Sequence, residues 1–247
     1  MIAEYIPALK HLWQEAFGDP VSVIDAFFAT GFSADRCHLL LEDGEPVSGL
    51  YWFDCQLEGS KLAYLYAVAT RISHRGKGLG TRLMEETHRT LRDRGYAGCI
   101  LVPDGQALRA WYSSLGYRTV TTVGKFRCHA GSTPVPLREI TAAEYAQLRK
   151  THLPVGGVVQ EGVALDYLQA LEQFYAGDNW LLAASIENST LIAQEFWGNP
   201  QAAPAILRAL HCEEGRFRGP GAGEPFAMFL PLQDNCPIPS YFGLALD

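Results

Sequence analysis

The chain has 247 residues, of which 48% are hydrophobic and 19% charged, so it has enough apolar side chains for one large domain or two of ordinary size. Its formal net charge of −7 argues against nucleic acid as the main partner. Six cysteines without a C-x-x-C pair, no apolar run as long as a membrane span and no basic leader predict a cytoplasmic protein with free thiols, no metal site and no membrane partner.

The first part of the chain is predicted to alternate helices and strands. Apolar residues recur at helical spacing over residues 4–17, and Ser22 is a candidate cap for a second helix over residues 23–30. Runs of β-favouring residues between turn residues then predict three strands, over residues 37–42, 47–55 and 61–70. Because the turn residues Asp43-Gly44 separate the first two strands, these are expected to form a hairpin.

A glycine-rich loop follows the third strand. It reads Arg-Gly-Lys-Gly-Leu-Gly over residues 75–80, and the helix that it opens has apolar positions at helical spacing as far as Leu91. Glycines at alternate positions let the backbone approach a ligand, and the first N–H groups of the helix have no partners within it. Basic side chains add to the positive end of the helix dipole. The loop is therefore predicted to bind an anion, most naturally a pyrophosphate.

Two common phosphate motifs do not fit this loop. A P-loop would have serine or threonine after its lysine, whereas Lys77 is followed by Gly78. The dinucleotide fingerprint would have its last glycine at the position of Thr81. The pattern that does fit is R-x-x-G-x-G over residues 75–80, directly after a strand.

Three further elements complete the predicted first domain. They are a short apolar strand over residues 97–102, a helix over residues 106–115 and a strand over residues 117–127. The helix contains Trp111 and Tyr112 and is followed by Gly116-Tyr117.

Two motifs in this order resemble the GNAT superfamily of N-acetyltransferases. Residues 68–86, VATRISHRGKGLGTRLMEE, are similar to its coenzyme A motif, and residues 107–117, ALRAWYSSLGY, to its helix that ends in Leu-Gly-aromatic. Ile72 and His74 replace a common proline and a common aromatic residue, and neither change removes a phosphate donor. The resemblance implies an α+β (α/β) fold with a mixed central sheet flanked by helices, and acetyl-CoA as cosubstrate.

The resemblance also implies roles for individual residues. Backbone groups of Val68, Ala69 and Thr70 would pair with the pantetheine arm, in a gap where the strand 61–70 and the strand 97–102 splay apart. The pyrophosphate would be held by backbone N–H groups of the loop residues Arg75, Gly76, Lys77, Gly78, Leu79, Gly80 and Thr81. The Val68 N–H is the candidate donor to the thioester oxygen, and Tyr112 is the candidate proton donor to the leaving thiolate. The alternative for Tyr112 is a packing role.

The general base is left open. The strand 61–70 has no acidic residue, although some family members carry one there. Candidates elsewhere in the chain are Glu4, His38, Asp54 and His74. A water relay would need no dedicated residue. A further hypothesis uses the carboxylate of Asp247, because some tandem members of the family bring a terminal carboxylate into the site.

Two domains are predicted, a catalytic domain over residues 1–130 and a second domain over residues 137–247, joined by a proline-rich linker. In the second, Thr141 and Glu144 form a candidate capping box. The other predicted elements are a helix over 163–175, a hairpin of 180–186 and 190–197, a helix over 204–210 and closing strands over 225–232 and 241–246. This order echoes the first half without its glycine loop and predicts a smaller, degenerate GNAT-like α+β domain, with an unrelated α+β domain as the alternative.

The sequence therefore predicts an N-acetyltransferase that moves an acetyl group from acetyl-CoA directly to a primary amine of a small molecule. The negative net charge favours a cationic acceptor, such as a polyamine or an aminoglycoside-like amine. The alternatives are a protein or peptide N-acetyltransferase and a coenzyme A-binding regulatory module without turnover. The intact loop and Tyr112 favour an enzyme, and the oligomeric state is left open.

Overall fold

The computed structural model describes residues 2–246, and their contacts divide the chain into two compact units. The first unit runs to Arg118 and also contains Phe229–Pro237. The second unit contains Thr119–Met228 and a last segment that begins at Ile238. The chain therefore leaves the first unit and later returns to it, and the predicted linker at residues 131–136 lies inside the second unit. Among the described residues, no helix is both long enough and apolar enough to cross a membrane.

The first unit is built around a mixed sheet with the strand order β1-β2-β3-β4-β13-β5. Its strands are β1 (Cys37–Glu42), β2 (Glu45–Leu57), β3 (Ser60–Thr70), β4 (Gly98–Leu101), β5 (Arg118–Thr119) and β13 (Met228–Pro231). Its helices are α1 (Ile6–Phe17), α2 (Val21–Ala26), α3 (Leu79–Asp93) and α4 (Gly105–Ser114). Strands β1 to β3 form an antiparallel meander, and β4 runs parallel to β3 after the crossover through α3. The predicted hairpin and the strand–loop–helix order are confirmed.

The position of β13 differs from the prediction. The closing strand expected at residues 225–232 was assigned to the second domain, whereas Met228–Pro231 lies beside β4 in the sheet of the first unit. The close approach requires glycine, because a Cβ on Gly98 would lie 2.4 Å from the Phe229 ring. Leu232 also donates its N–H to the carbonyl of Ala97 at 2.8 Å. Sequence patterns indicate pairing between neighbouring segments. The pairing of β4 with β13 joins residues far apart in the chain, so no local pattern indicates it.

The second unit has its own mixed sheet, with the strand order β6-β12-β11-β10-β9-β7. The strands that follow β5 in the chain are β6 (Thr122–His129), β7 (Arg138–Ile140), β8 (Val159–Gln160), β9 (Gln173–Gly177), β10 (Trp180–Glu187), β11 (Thr190–Trp197) and β12 (Glu214–Pro225). The helices are α5 (Ala142–His152), α6 (Val163–Gln169) and α7 (Ala203–Ala209). Only β11 and β12 pair in parallel, and the crossover between them contains α7.

Several predictions for this half are confirmed and others are wrong. The capping box of Thr141 and Glu144 is present, and β10 and β11 form the expected hairpin. The helix expected over 163–175 ends at Gln169, because the chain turns there into β9. Residues 241–246 form an isolated bridge at Tyr241 in place of a strand. The long strand β12, whose sequence EGRFRGPGAGEP is rich in glycine, was not predicted.

A buried ion pair links α5 to β11 in the second unit. The guanidinium of Arg149 donates to the two carboxylate oxygens of Glu195 at 2.6 and 2.9 Å. The hydroxyl groups of Tyr145 and Tyr241 donate to the same carboxylate at 2.8 and 2.9 Å. Arg149 is 1% exposed and Glu195 is 0% exposed. The carboxylate therefore accepts all of these hydrogen bonds from protein groups and none from bulk solvent.

Candidate functional site

A bulge in β3 sets the backbone geometry of the site. One residue of β2, Leu50, faces two residues of β3, Ala67 and Val68. The extra residue is accommodated because Ala67 adopts a left-handed conformation with φ of 49°. The bulge takes Val68 out of the regular ladder with β2. Val68 was singled out by the family resemblance, whereas nothing in the sequence marked Ala67 as the residue that carries the strain.

The pairing of β3 with β4 ends before the bulge. The two strands pair in parallel only from Leu62 to Tyr64 of β3, whereas β3 continues to Thr70. The last residues of β3 therefore extend past the last residue of β4, as a gap between these two strands requires, and the expected splaying stays a prediction. Val68, Ala69 and Thr70 all lie in this part, where Ala69 and Thr70 still pair with β2.

The end of β3 is fixed by side chains. Ser48, which is fully buried, donates its hydroxyl to the Ala69 carbonyl at 2.8 Å, and its Oγ lies 2.8 Å from Oγ1 of Thr70. The guanidinium of Arg75 donates to the Thr70 carbonyl at 3.1 Å. The carbonyls of Ala69 and Thr70 thus already accept protein hydrogen bonds. Among the three residues assigned to the pantetheine arm, Val68 is the one that lies at the bulge.

The glycine loop leaves the N-terminus of α3 open. Gly76 and Gly78 have φ of 77° and 78°, and a Cβ on either would meet no atom within 4 Å. Helix α3 begins at Leu79, and among the described residues no side chain caps it. Gly80 packs against α4, since a Cβ there would lie 3.3 Å from the Trp111 ring. The geometry is that of an anion site, with free backbone N–H groups and the positive end of a fifteen-residue helix.

Tyr112 lies on α4 and is 6% exposed. Its ring centroid lies 4.7 Å from that of Trp111 and 5.7 Å from that of Tyr117. Burial raises the pKa of its phenol above the ordinary value, so the group keeps its proton at neutral pH. In this state it carries a proton and cannot serve as a base, and the raised pKa makes it a weaker acid than an exposed phenol. The same ring contacts are those of a packing tyrosine, so both interpretations of the residue remain.

A buried pair that the sequence analysis missed lies next to Tyr112. His88 of α3 and Tyr117 are joined by a hydrogen bond of 2.8 Å between Nε2 and the phenol oxygen. Burial and the nearby Arg92 lower the pKa of His88 to about 4, so the imidazole is neutral. The only signal for His88 in the sequence is its helical spacing between Met84 and Leu91, which marks a buried position and no particular role.

The candidate histidine bases are both paired with carboxylates. Nε2 of His38 lies 3.2 Å from Oε2 of Glu86 on α3. Nε2 of His74 lies 3.2 Å from Oε2 of Glu42 at the end of β1. These contacts give each histidine a structural role and assign no base.

The candidate acidic bases are also left without an assignment. Asp54 accepts a hydrogen bond from Tyr96 at 2.5 Å and lies opposite Ala63, in the part of β3 that pairs with β4. Glu4 is exposed near the start of α1. Asp247 lies outside the described residues. The base remains unidentified.

Aromatic residues of α1 and of the segment that follows α2 pack on the face of β3 that carries Tyr66. The ring centroids of Trp13 and Phe27 lie 5.4 and 5.7 Å from that of Tyr66, and both residues are buried. These rings therefore form part of the core beside β3.

The first part of the chain is similar to a known protein family. Residues 2–120 match a family model described as an acetyltransferase (GNAT) domain. This segment contains β1 to β4, the glycine loop, α3 and α4. Among curated proteins, none matches the chain.

Solved structures with the same fold cover nearly the whole chain. A GCN5-related N-acetyltransferase from Anabaena variabilis has a TM-score of 0.70 at 13% identity, over 93% of this chain and 71% of that chain. Another from Kribbella flavida has a TM-score of 0.68 at 15% identity, over 92% and 68%. A tandem GNAT protein from the clavulanic acid biosynthesis pathway has a TM-score of 0.56 at 10% identity, over 94% and 96%. These identities show a shared fold, and the predicted fold class, α/β with mixed sheets, is confirmed.

Proposed function

Because residues 2–120 match the model of a GNAT acetyltransferase domain, we propose that the chain is an N-acetyltransferase that moves an acetyl group from acetyl-CoA directly to a primary amine of a small molecule. One observation carries the proposal. The open N-terminus of α3 follows, across the glycine loop, the end of β3 that lies beyond its pairing with β4. An anion site next to extended backbone suits the two parts of coenzyme A, its pyrophosphate and its amide-containing pantetheine arm.

The glycine loop would hold the pyrophosphate of acetyl-CoA. The residues assigned to it are Arg75, Gly76, Lys77, Gly78, Leu79, Gly80 and Thr81, through their backbone N–H groups. The left-handed glycines face open space, so phosphate oxygens meet no Cβ there. Backbone groups of Val68, Ala69 and Thr70 would contact the pantetheine arm.

Two groups of the chain supply the chemistry of acyl transfer. The amine attacks in its neutral form, since an ammonium has no lone pair, and negative charge then develops on the thioester oxygen. The Val68 N–H, turned out of the β2 ladder by the bulge, would stabilise that charge. As the carbon–sulfur bond breaks, the thiolate takes a proton, for which Tyr112 is the proposed donor. The base that removes the proton of the amine remains unassigned.

The second unit supports the proposal of a degenerate GNAT-like domain. In it the antiparallel run β9-β10-β11 is followed by a helix and then by the parallel strand β12. The first unit has the same sequence of connections in β1-β2-β3, α3 and β4. The similar fold of a tandem GNAT protein agrees with this arrangement.

The loop before α7 explains why the second unit would not bind coenzyme A in the same way. Asn199 uses its side-chain oxygen to accept the N–H of Gln201 at 3.0 Å, so one donor is already used. Pro200 and Pro204 have no N–H to offer. Helix α7 has only seven residues. The backbone N–H groups that could bind phosphate at the start of α3 are thus already hydrogen-bonded or absent at the corresponding loop before α7.

Thermal unfolding with and without acetyl-CoA tests the proposal. The variants are Gly78→Glu, which places a carboxylate at the N-terminus of α3, and Gly59→Glu as the matched control. Both glycines have positive φ and open space around a Cβ, but Gly59 lies in the turn between β2 and β3, at the other end of β3. A ligand at 100 times its Kd stabilises the folded state by about 2.7 kcal/mol. We expect acetyl-CoA to raise the Tm of the wild type and of Gly59→Glu, but not of Gly78→Glu.

Thiol release in the presence of amines then identifies the acceptor. We expect release with a cationic small-molecule amine, such as a polyamine, because the net charge is negative. If the coenzyme A thiol is released only when peptides are the acceptors, the chain is a protein acetyltransferase. Binding of acetyl-CoA without release for any amine would identify a regulatory module. An unchanged Tm of the wild type at millimolar acetyl-CoA would contradict the proposal.

A further inference from the structure

A basic groove lies on the sheet of the second unit. It is formed by β6, β12 and β11 and has a volume of about 460 Å³. Its charged side chains are Lys125, Arg127, Arg216, Arg218 and Glu224. Four cations and one carboxylate make the groove strongly positive, although the chain as a whole carries a net charge of −7.

The sheet register places the four cations on one face. In the antiparallel pair of β6 and β12, Arg127 lies directly opposite Arg216, and Lys125 lies directly opposite Arg218. Residues two positions apart on a strand share a face, so all four point to the same side. The intervening Phe126 pairs with Phe217 on the other side, where their rings stack with centroids 4.8 Å apart.

Two of the four cations are already partnered. Lys125 donates to the Glu224 carboxylate at 2.6 Å. Arg218 donates to the backbone carbonyl and the side-chain oxygen of Gln194, at 2.8 and 2.5 Å. Arg127 and Arg216 are exposed, and within residues 2–246 neither side chain has a hydrogen-bond or ion-pair partner.

Opposed arginines without partners destabilise the pair of strands that carries them. Like charges at directly opposite positions of an antiparallel pair repel each other, and their Cβ atoms lie only about 4.5–5.5 Å apart. A guanidinium presents a planar fork of donors that matches phosphate oxygens. Two such forks side by side match two adjacent phosphates, whose charge would cancel the repulsion.

We propose that the basic groove binds a small molecule that carries a diphosphate group, with Arg127 and Arg216 as its principal contacts. The volume is that of a small-molecule site and not of an extended nucleic-acid track. Lys125 and Arg218 flank the two arginines and add positive charge at the ends of the group. The site is separate from the acetyl-CoA site proposed above and does not depend on it.

Calorimetric titration of inorganic pyrophosphate into the full chain tests the proposal. All proteins carry Gly78→Glu, so that binding at the glycine loop does not contribute. We expect one saturable site, weakened at least tenfold in Arg127→Gln/Arg216→Gln and by added salt. The matched control is Arg208→Gln, which removes an exposed arginine of α7 outside the groove and is expected to leave binding unchanged.

Thermal unfolding separates a binding role from a structural one. Without ligand, we expect Arg127→Gln to raise the Tm, because the repulsion with Arg216 is gone. With pyrophosphate, the Tm of the Arg208→Gln control is expected to rise and that of Arg127→Gln/Arg216→Gln to stay unchanged. Absence of saturable binding, binding that the double variant retains, or a preference for single-stranded RNA over pyrophosphate would overturn the proposal.

Discussion

At the scale of single residues, different local forces position the two candidate catalytic groups. Val68 depends on the bulge, in which its neighbour Ala67 takes a left-handed conformation that costs an alanine about 1–2 kcal/mol. Ser48 stabilises the adjoining backbone through its bond to Ala69. Tyr112 is positioned by burial among aromatic rings of its own helix and of the turn that follows it.

The substitution Tyr112→Phe separates catalysis from packing. It removes the hydroxyl and keeps the ring contacts, so we expect turnover to fall about 100-fold, the lower end of what general acid catalysis contributes. Acetyl-CoA is expected to raise the Tm as in the wild type. Steady-state thiol release and thermal unfolding provide the two measurements. Unchanged turnover would assign Tyr112 to packing alone.

His88 is expected to make stability depend on pH. Its pKa is about 4 in the folded state and 6.5 as the unperturbed value, so the unfolded chain binds more protons between these values. The stability from the neutral imidazole is complete above pH 6.5 and is lost as pH falls towards 4, by up to about 3 kcal/mol. Urea unfolding at several pH values measures the free energy of unfolding. In His88→Gln this free energy is expected to change less with pH between 4 and 6.5 than in the wild type. The same slope in both proteins would contradict the prediction.

At the scale of elements, the ion pair of Arg149 and Glu195 joins α5 to β11. The substitution Glu195→Gln leaves the guanidinium buried without a counter-charge, and we expect it to lower the free energy of unfolding by about 3–5 kcal/mol. Replacing both residues, as in Arg149→Met/Glu195→Leu, is expected to cost less than the single change. Chemical denaturation compares the variants. A loss below 1 kcal/mol for Glu195→Gln would contradict the argument.

Elements with local signals could be predicted from the sequence. In strands β1 to β3, apolar side chains alternate with polar ones or form continuous runs, and turns that contain glycine separate the strands. The glycine loop is followed by a helix with a clear apolar face. The hairpin of β10 and β11 is set by its turn at Asn188-Ser189, both of which have positive φ. By contrast, β12 has glycine and proline where strand residues are expected, and the pairing with its neighbours overrides these weak propensities.

Features that depend on distant residues could not be predicted. The strand β13 is apolar enough to be recognised, but the contacts that place it in its sheet, such as Phe229 against Gly98, join residues far apart in the chain. The conformation of Ala67 follows from the mismatch of β2 and β3, which no single strand shows. The loop and Tyr112 could be found because their motifs are contiguous in the chain, whereas the partnership of His88 and Tyr117 spans two elements.

At the scale of the whole molecule, the first unit is discontinuous in sequence. It needs Phe229–Pro237, which lie beyond all of its other residues. We therefore expect a fragment of residues 1–130 to lack a cooperative thermal transition that acetyl-CoA stabilises, because β4 would lose its neighbour β13. Circular dichroism during heating, with and without acetyl-CoA, measures this.

A peptide of residues 226–240 serves as the complement to that fragment. Its addition is expected to restore part of the transition, and the same peptide with Phe229→Asp is expected not to do so, since the Phe229 ring packs at Gly98. A fragment of residues 1–130 that unfolds cooperatively and responds to acetyl-CoA without the peptide would show that β13 is dispensable.

The late position of Phe229–Pro237 in the sequence affects how the first unit can fold during protein synthesis. During translation, β4 cannot pair with β13 until the ribosome has synthesised residues up to 237. This happens long after Arg118 has been added to the chain. At ordinary translation speeds of about 5–20 residues per second, this delay is on the order of 10 s. During that time the nascent chain exposes an open, apolar strand edge, the kind of surface that chaperones cover. The sheet of the first unit is therefore complete only after Phe229–Pro237 have been synthesised.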